Sequence, residues 1–228
     1  MEALDFGPYQ TLPLGTPKKD KEVVEGGFGF YAGAGNDVLT NGSYQIETES
    51  ALGGKSTIPS ILSGGLGNDT YDLLTDQEWG FVADAGGGKD TIRFGMGKFS
   101  DLNPKSKSLN SVVNTILIND RDVMISTTNL DTGVRDFGII FSDPFGTLVP
   151  ENKLEKVKFG KKKYSFRKFL KSLEKNAEKS PDFYSIDTAT FSELGEAGLL
   201  NLTGFPDTNV LDSGEYIQIA LINNSLVV

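Results

Sequence analysis

The chain contains no cysteine and no histidine. The first absence excludes disulfides, thiolate nucleophiles and cysteine-ligated zinc. The second excludes imidazole acid–base chemistry, histidine-containing triads and every histidine-ligated metal centre. An active site would have to be built from Asp, Glu, Lys, Ser and Tyr, and a metal would have to be held by oxygen. Long hydrophobic runs are also missing, and none approaches the ~20 residues of a membrane span. The opening residues, MEALDFGPYQ, have neither a basic start nor an apolar stretch and do not read as a signal peptide. On these signs alone the expectation is a soluble, cytoplasmic protein with no transmembrane segment, unless export follows another route.

Positive charge is absent from one end. The last 48 residues carry no Lys or Arg and 7 acidic residues. Residues 151–180 reverse this, with 11 basic against 4 acidic, and residues 1–150 hold 11 basic against 20 acidic. The net charge of the 228 residues is −9. An acidic chain whose only metal donors are hard oxygens suits calcium and does not suit a nucleic-acid partner. Hydrophobic residues make up 38% and aromatics 10%, enough to build a folded core.

What the sequence does have is glycine in a recurring pattern. Residues 32–40 read AGAGNDVLT and residues 64–72 read GGLGNDTYD. Residues 53–58 read GGKSTI and residues 87–92 read GGKDTI. Two different turns recur in the same order, which predicts a degenerate internal duplication. The stretches between them are short and apolar, such as Val38-Leu39, Leu73-Leu74, Phe81-Val82 and Ile92 with Phe94, and read as short strands. From 110 to 142, SVVNTILIND, DVMISTT and RDFGIIFSD continue the β pattern, and LEKVKF at 154–159 predicts another strand. After it, Phe166, Phe169, Leu170 and Leu173 fall at i, i+3, i+4 and i+7 behind a cap-like Ser165, which predicts an amphipathic helix over 165–178. SELGEAGLLNL at 192–202 predicts a second, glycine-weakened helix, and EYIQIALINNSLVV a closing pair of strands.

A turn that reverses within six residues needs positive φ, and glycine supplies it cheaply. Without Cβ atoms, carbonyl oxygens can crowd around one point. Carbonyls and Asp carboxylates are the ligands calcium prefers, and it takes six to eight of them. One turn cannot provide that many, but two stacked turns can.

GGLGNDTYD matches the G-G-x-G-x-D-x-U-x nonapeptide at every defined position, with Tyr71 as the inward residue. AGAGNDVLT and AGGGKDTIR (85–93) each match with Ala for the first glycine. The chain therefore resembles the RTX, or haemolysin-type, calcium-binding repeat proteins. The resemblance extends more weakly over 115–170, except that relatives have an acidic glycine turn where this chain reads GKKK. It implies a mainly β fold: a short, irregular parallel β-roll with calcium turns, continued by a β region and capped by one or two short helices. Calcium ligands would be the carbonyls of Gly33, Gly35, Gly65, Gly67, Gly86 and Gly88, and the carboxylates of Asp37, Asp69 and Asp90. Ser56 stands where the matching turn has Asp90, so GGKSTI reads as a turn without a site. The spacing departs from the family. Same-side turns step by about 18, whereas Asp37 to Asp69 is 32 and Asp69 to Asp90 is 21. Insertions must interrupt the array.

The segments divide as 1–25, an N-terminal stretch; 26–97, the degenerate roll; 98–180, its β continuation with the basic helix; and 181–228, an acidic C-terminal part. Relatives leave the cell by type I secretion through an uncleaved C-terminal signal, which this tail is similar to. The resemblance therefore implies type I secretion machinery as a partner and an extracellular location, with the cytoplasm as the alternative. The leading functional expectation is a secreted calcium-binding protein without a catalytic centre, serving a surface, matrix or targeting role, with a cell-surface or extracellular polysaccharide as a partner. The competing one is a small hydrolytic or polysaccharide-modifying enzyme that carries the roll as a folding module. The basic stretch 153–175 reads as a solvated helix face, with contact to anionic lipid, polysaccharide or nucleic acid as its alternative. AGAGND lacks the GK[ST] of a phosphate loop and is not followed by a helix pattern.

Overall fold

The structure, a computed structural model, describes residues 14–25, 29–42, 44–47, 55–58, 60–73, 78–84, 86–95, 102, 111–131, 135–147 and 150–189. Its strands follow the short apolar stretches. β1 (Lys21–Val24) comes first, then β2 (Gly29–Tyr31), β3 (Ala34–Gly35) and β4 (Val38–Asn41) around the first glycine turn. A hairpin of β5 (Tyr44–Glu47) and β6 (Lys55–Ile58) follows. The second glycine turn brings β7 (Ser60–Ser63), β8 (Leu66–Gly67) and β9 (Thr70–Leu73). The third lies between β10 (Glu78–Val82) and β11 (Thr91–Phe94). Then come β12 (Ser111–Ile118), β13 (Asp122–Asn129), β14 (Arg135–Phe141), β15 (Lys156–Phe159), β16 (Lys162–Ser165), the helix α1 (Phe166–Lys179) and β17 (Tyr184–Ala189).

One unit, a strand, a turn and a strand, recurs and stacks on itself in register. The leading strands β2, β7, β10 and β14 pair in parallel, aligning Phe30, Leu62, Val82 and Phe141. The trailing strands β4, β9, β11 and β15 do the same, aligning Leu39, Tyr71, Ile92 and Val157. All eight of these side chains are buried. These files are the apolar face that each parallel sheet turns to the core, successive side chains pointing to opposite faces. β1 extends the trailing sheet by one strand, pairing in parallel with β4. The turns stack too, since β3 and β8 form their own small parallel ladder.

The irregular spacing has a structural cause. The β5–β6 hairpin is inserted between the first and second units, and the β12–β13 hairpin between the third and fourth. Asn119 and Asp120, at φ 50° and 55°, are the central residues of the turn in the second hairpin's three-residue loop, closed by Arg121 N–H donating to the Ile118 carbonyl at 3.0 Å. GGKSTI is not the equivalent of GGKDTI. Residues 55–58 are a strand of the first hairpin, while residues 87–90 belong to a turn stacked on the second glycine turn. Local residue similarity suggested a repeat that the pairing does not follow.

α1 begins one residue later than the pattern predicts, because Ser165 is its N-cap, its Oγ accepting from Lys168 N–H at 3.3 Å. Its buried residues are the four expected ones, Phe166, Phe169, Leu170 and Leu173. Phe169 packs on Phe94 and Phe159, with ring centroids 6.1 and 5.7 Å away, and Phe166 meets Phe141 edge-on at 5.2 Å. The helix thus covers aromatic side chains of both sheets. The helix predicted over 192–202, the closing strands and the tail lie outside the described residues. Among the described residues, no helix is long and apolar enough to cross a membrane.

Candidate metal centre

The carboxylates of the glycine turns form a ladder that runs up the stack. Asp20 N–H donates to Asp37 Oδ1 at 2.7 Å, and Asp37 N–H to Asp69 Oδ1 at 2.7 Å. Asp69 N–H donates to Asp90 Oδ1 at 2.8 Å, and Asp90 N–H to Glu155 Oε2 at 2.8 Å. Each acid is thereby fixed by the backbone of the preceding unit. Asn36 of the first GND turn has the same use: its Oδ1 accepts from Asn68 N–H at 2.8 Å.

The ladder uses only one oxygen of each Asp carboxylate. Asp37 Oδ2, Asp69 Oδ2 and Asp90 Oδ2 are buried and accept no hydrogen bond. Asp84 Oδ2 is in the same condition, while Asp84 Oδ1 accepts from the Tyr71 hydroxyl at 2.6 Å. That hydroxyl itself accepts from Gly64 N–H at 2.8 Å. The carboxylates of Asp69, Asp84 and Asp90 each place an oxygen within 4.8 Å of the others. Ligands on opposite sides of one cation at roughly 2.3–2.6 Å span about this distance.

Such an arrangement is costly for the protein by itself. Burial pushes the Asp69 carboxyl up to about 7, and the charges of Asp90 and Asp37 add to the rise against the pull of its hydrogen bond from Asp37 N–H. Burial, followed by the charge of Asp90, lifts Asp84 well above the usual carboxylate range. Asp90 and Asp37 are raised too, in both cases chiefly by burial. Buried carboxylates stay charged only if something positive joins them.

The glycines leave room for this packing. Gly64 lies directly beneath the Asp69 carboxylate, and a Cβ there would overlap Asp69 Oδ2. Gly67 sits at φ 138°, and a Cβ on it would overlap the Gly35 carbonyl oxygen. Gly88 lies over Gly67 in the same way. Of the carbonyls expected as ligands, that of Gly33 accepts Leu66 N–H at 2.7 Å, one strut of the turn-to-turn ladder. Gly65 and Gly86 lie on the same file, with the site of a Gly86 Cβ directly over the Gly65–Leu66 peptide.

The structure brings Asp69 and Asp90 together and places Asp37 one step down the ladder, against Asp69. Sequence reading missed Asp84 and overlooked Glu155 as the end of the ladder. Asp84 follows from the register. Val82 pairs with Leu62, so two residues further on Asp84 falls beside Gly64. Thr91 pairs with Thr70, which aligns Asp90 with Asp69. The third turn therefore holds one residue more than the second, a shift that motif matching on GGGKD hides. Asp122, outside the ladder, is engaged by Arg121, with Nη2 2.7 Å from its Oδ2. No family model matches the chain, and no curated protein matches it in sequence.

Proposed function

We propose that the protein is a calcium-binding, non-catalytic RTX-type protein whose glycine turns form a short calcium-loaded β-roll. The observation that carries this reading is the set of buried, unpartnered Oδ2 atoms on Asp69, Asp84 and Asp90, with Asp37 beside them. The donors are all hard oxygens, which suit calcium and not a soft metal. Asp69, Asp84 and Asp90 would hold one ion and balance its charge. Asp37, one step down, would contribute to a neighbouring position. The acidic tail and the resemblance to exported relatives support type I secretion and an extracellular role at a surface or in a matrix.

The chemistry then gates folding. In a calcium-poor compartment the desolvated carboxylates repel one another and loosen the turns. At extracellular calcium, sites as weak as ~10⁻⁴–10⁻³ M fill. An ion that binds only the folded state stabilises it by mass action. Calcium titration followed by circular dichroism and thermal melting tests this, with chelator as the starting point. The expected outcome is a saturable gain in β signal and a rise in Tm. Identical curves in chelator and in several millimolar calcium would refute the proposal.

A further inference from the structure

A cleft of about 490 Å³ opens beside the β15–β16 hairpin and the start of α1. That size lies within the usual range of ligand sites. Its rim carries Lys153, Lys156, Lys163 and Arg167. Its walls are apolar and aromatic, with Pro144, Phe145 and Tyr164 among them. Arg167 is held over the Phe145 ring at 5.6 Å, which fixes its guanidinium at the mouth. Among the described residues the only carboxylate in the lining is that of Glu155. One of its oxygens takes Asp90 N–H, and the other lies 3.8 Å from Lys153 Nζ. No ion pair among the described residues engages Lys156, Lys163 or Arg167.

The cationic surface continues past the cleft onto the outer face of the sheet. Lys158 is directly opposite Lys163 across the antiparallel ladder and beside Arg93 in the parallel one. Like charges opposite one another in a ladder destabilise it. Arg93 is neutralised by its bidentate pair with Asp72, but Lys158 and Lys163 have no such partner among the described residues. Desolvation lowers the Lys158 ammonium, and its cationic neighbours lower it further. An anion placed between these side chains would relieve the repulsion.

We propose that this cleft and the adjoining lysine face bind an acidic polysaccharide, a chain of carboxylated sugars. The apolar and aromatic walls suit the apolar faces of sugar rings, and the four lining cations suit the carboxylates such a chain carries. Duplex nucleic acid, with one charge per about 1.7 Å of its axis, is disfavoured by the net −9 of the protein, which opposes it more strongly than a chain with one charge per sugar. A membrane surface is disfavoured because α1 turns its apolar side into the core. The large exposed hydrophobics among the described residues, Leu14, Val23, Leu66 and Leu130, all belong to other elements. The cleft borders the carboxylate ladder through Glu155, but its cations lie outside the Asp69–Asp84–Asp90 cluster.

The test is isothermal titration of the full chain, at fixed calcium, with a hexamer of galacturonic acid. Maltohexaose, a six-nucleotide single strand and vesicles containing phosphatidylserine serve as comparisons. The hexagalacturonate is expected to bind, maltohexaose not to bind, and the K156Q/K163Q/R167Q variant to bind at least about tenfold more weakly, with an unchanged circular dichroism spectrum. If the triple variant folds poorly, Lys163→Gln alone, at an exposed position, should still weaken binding and flatten its salt dependence. No binding by the native chain, or unaltered binding by the folded variants, overturns the proposal. Equal or tighter binding of the oligonucleotide or the vesicles also overturns it, in favour of a nucleic-acid or lipid surface. Failure of the calcium reading would appear elsewhere, as a flat calcium melt.

Discussion

Asp84 and Tyr71 show how much one side chain depends on its neighbours here. Tyr71 fills the core file with its ring, yet its hydroxyl ties the Gly64 backbone to Asp84. Asp84 in turn faces Asp69 and Asp90 with an oxygen that has no hydrogen bond. Replacing Asp84 by Asn keeps the shape and removes one of three clustered charges. The expected outcome is a metal-free protein at least as stable as the native one and a calcium-induced rise in Tm reduced by half or more. Asp69→Asn should behave alike, whereas Asp187→Asn, at an exposed strand position, should leave the calcium response intact. Equal responses in all three, read by thermal melting with and without calcium, would remove these residues from the site.

Among the elements, α1 joins the two sheets through aromatic side chains. Phe169 is fully buried and touches Phe94 and Phe159, one from each of two adjacent strands of the trailing sheet. Phe169→Ala should cost about 3–5 kcal/mol, the usual range for losing a buried aromatic side chain. Ser165→Ala removes only a cap and should cost about 1 kcal/mol. Urea unfolding at saturating calcium would measure both, and comparable losses would mean that the helix face contributes little. The helix was readable because its period, its cap and its burial all agree. The inserted hairpins were only half readable. Asn119-Asp120 announces its turn, but nothing in residues 44–47 and 55–58 says that they leave the stack.

At the scale of the whole molecule, the raised carboxyls set the pH behaviour. A carboxyl whose folded pKa lies above its unfolded value favours the folded state while it is protonated. Asp69 moves from an ordinary value of 3.8 to about 7, and Asp37, Asp84 and Asp90 move the same way. In chelator, the stability they contribute is complete below about pH 4 and lost as pH rises towards 7. With calcium the dependence should reverse, because only the deprotonated carboxylates bind the ion. Melting curves from pH 4.5 to 7.5, with chelator and with calcium, would check the two slopes. A metal-free Tm that climbs steadily across this window would show that the cluster is not desolvated as described.

The sequence by itself determined the mainly β character, the amphipathic helix, the glycine turns and two of the three clustered acids. These are local: apolar period, turn chemistry and the Gly-x-Asp spacing are carried by neighbouring residues. Only the tertiary structure decided which turns stack. GGKSTI and GGKDTI look alike in sequence, yet residues 55–58 of the first lie in a hairpin and Asp90 of the second on the carboxylate ladder. Asp84 entered the cluster for the same reason. Its position depends on the register between β7 and β10 and on one extra residue in the third turn. Parallel pairing here joins residues 17 or more apart, and their register is set by the apolar files inside the stack, which no short motif records.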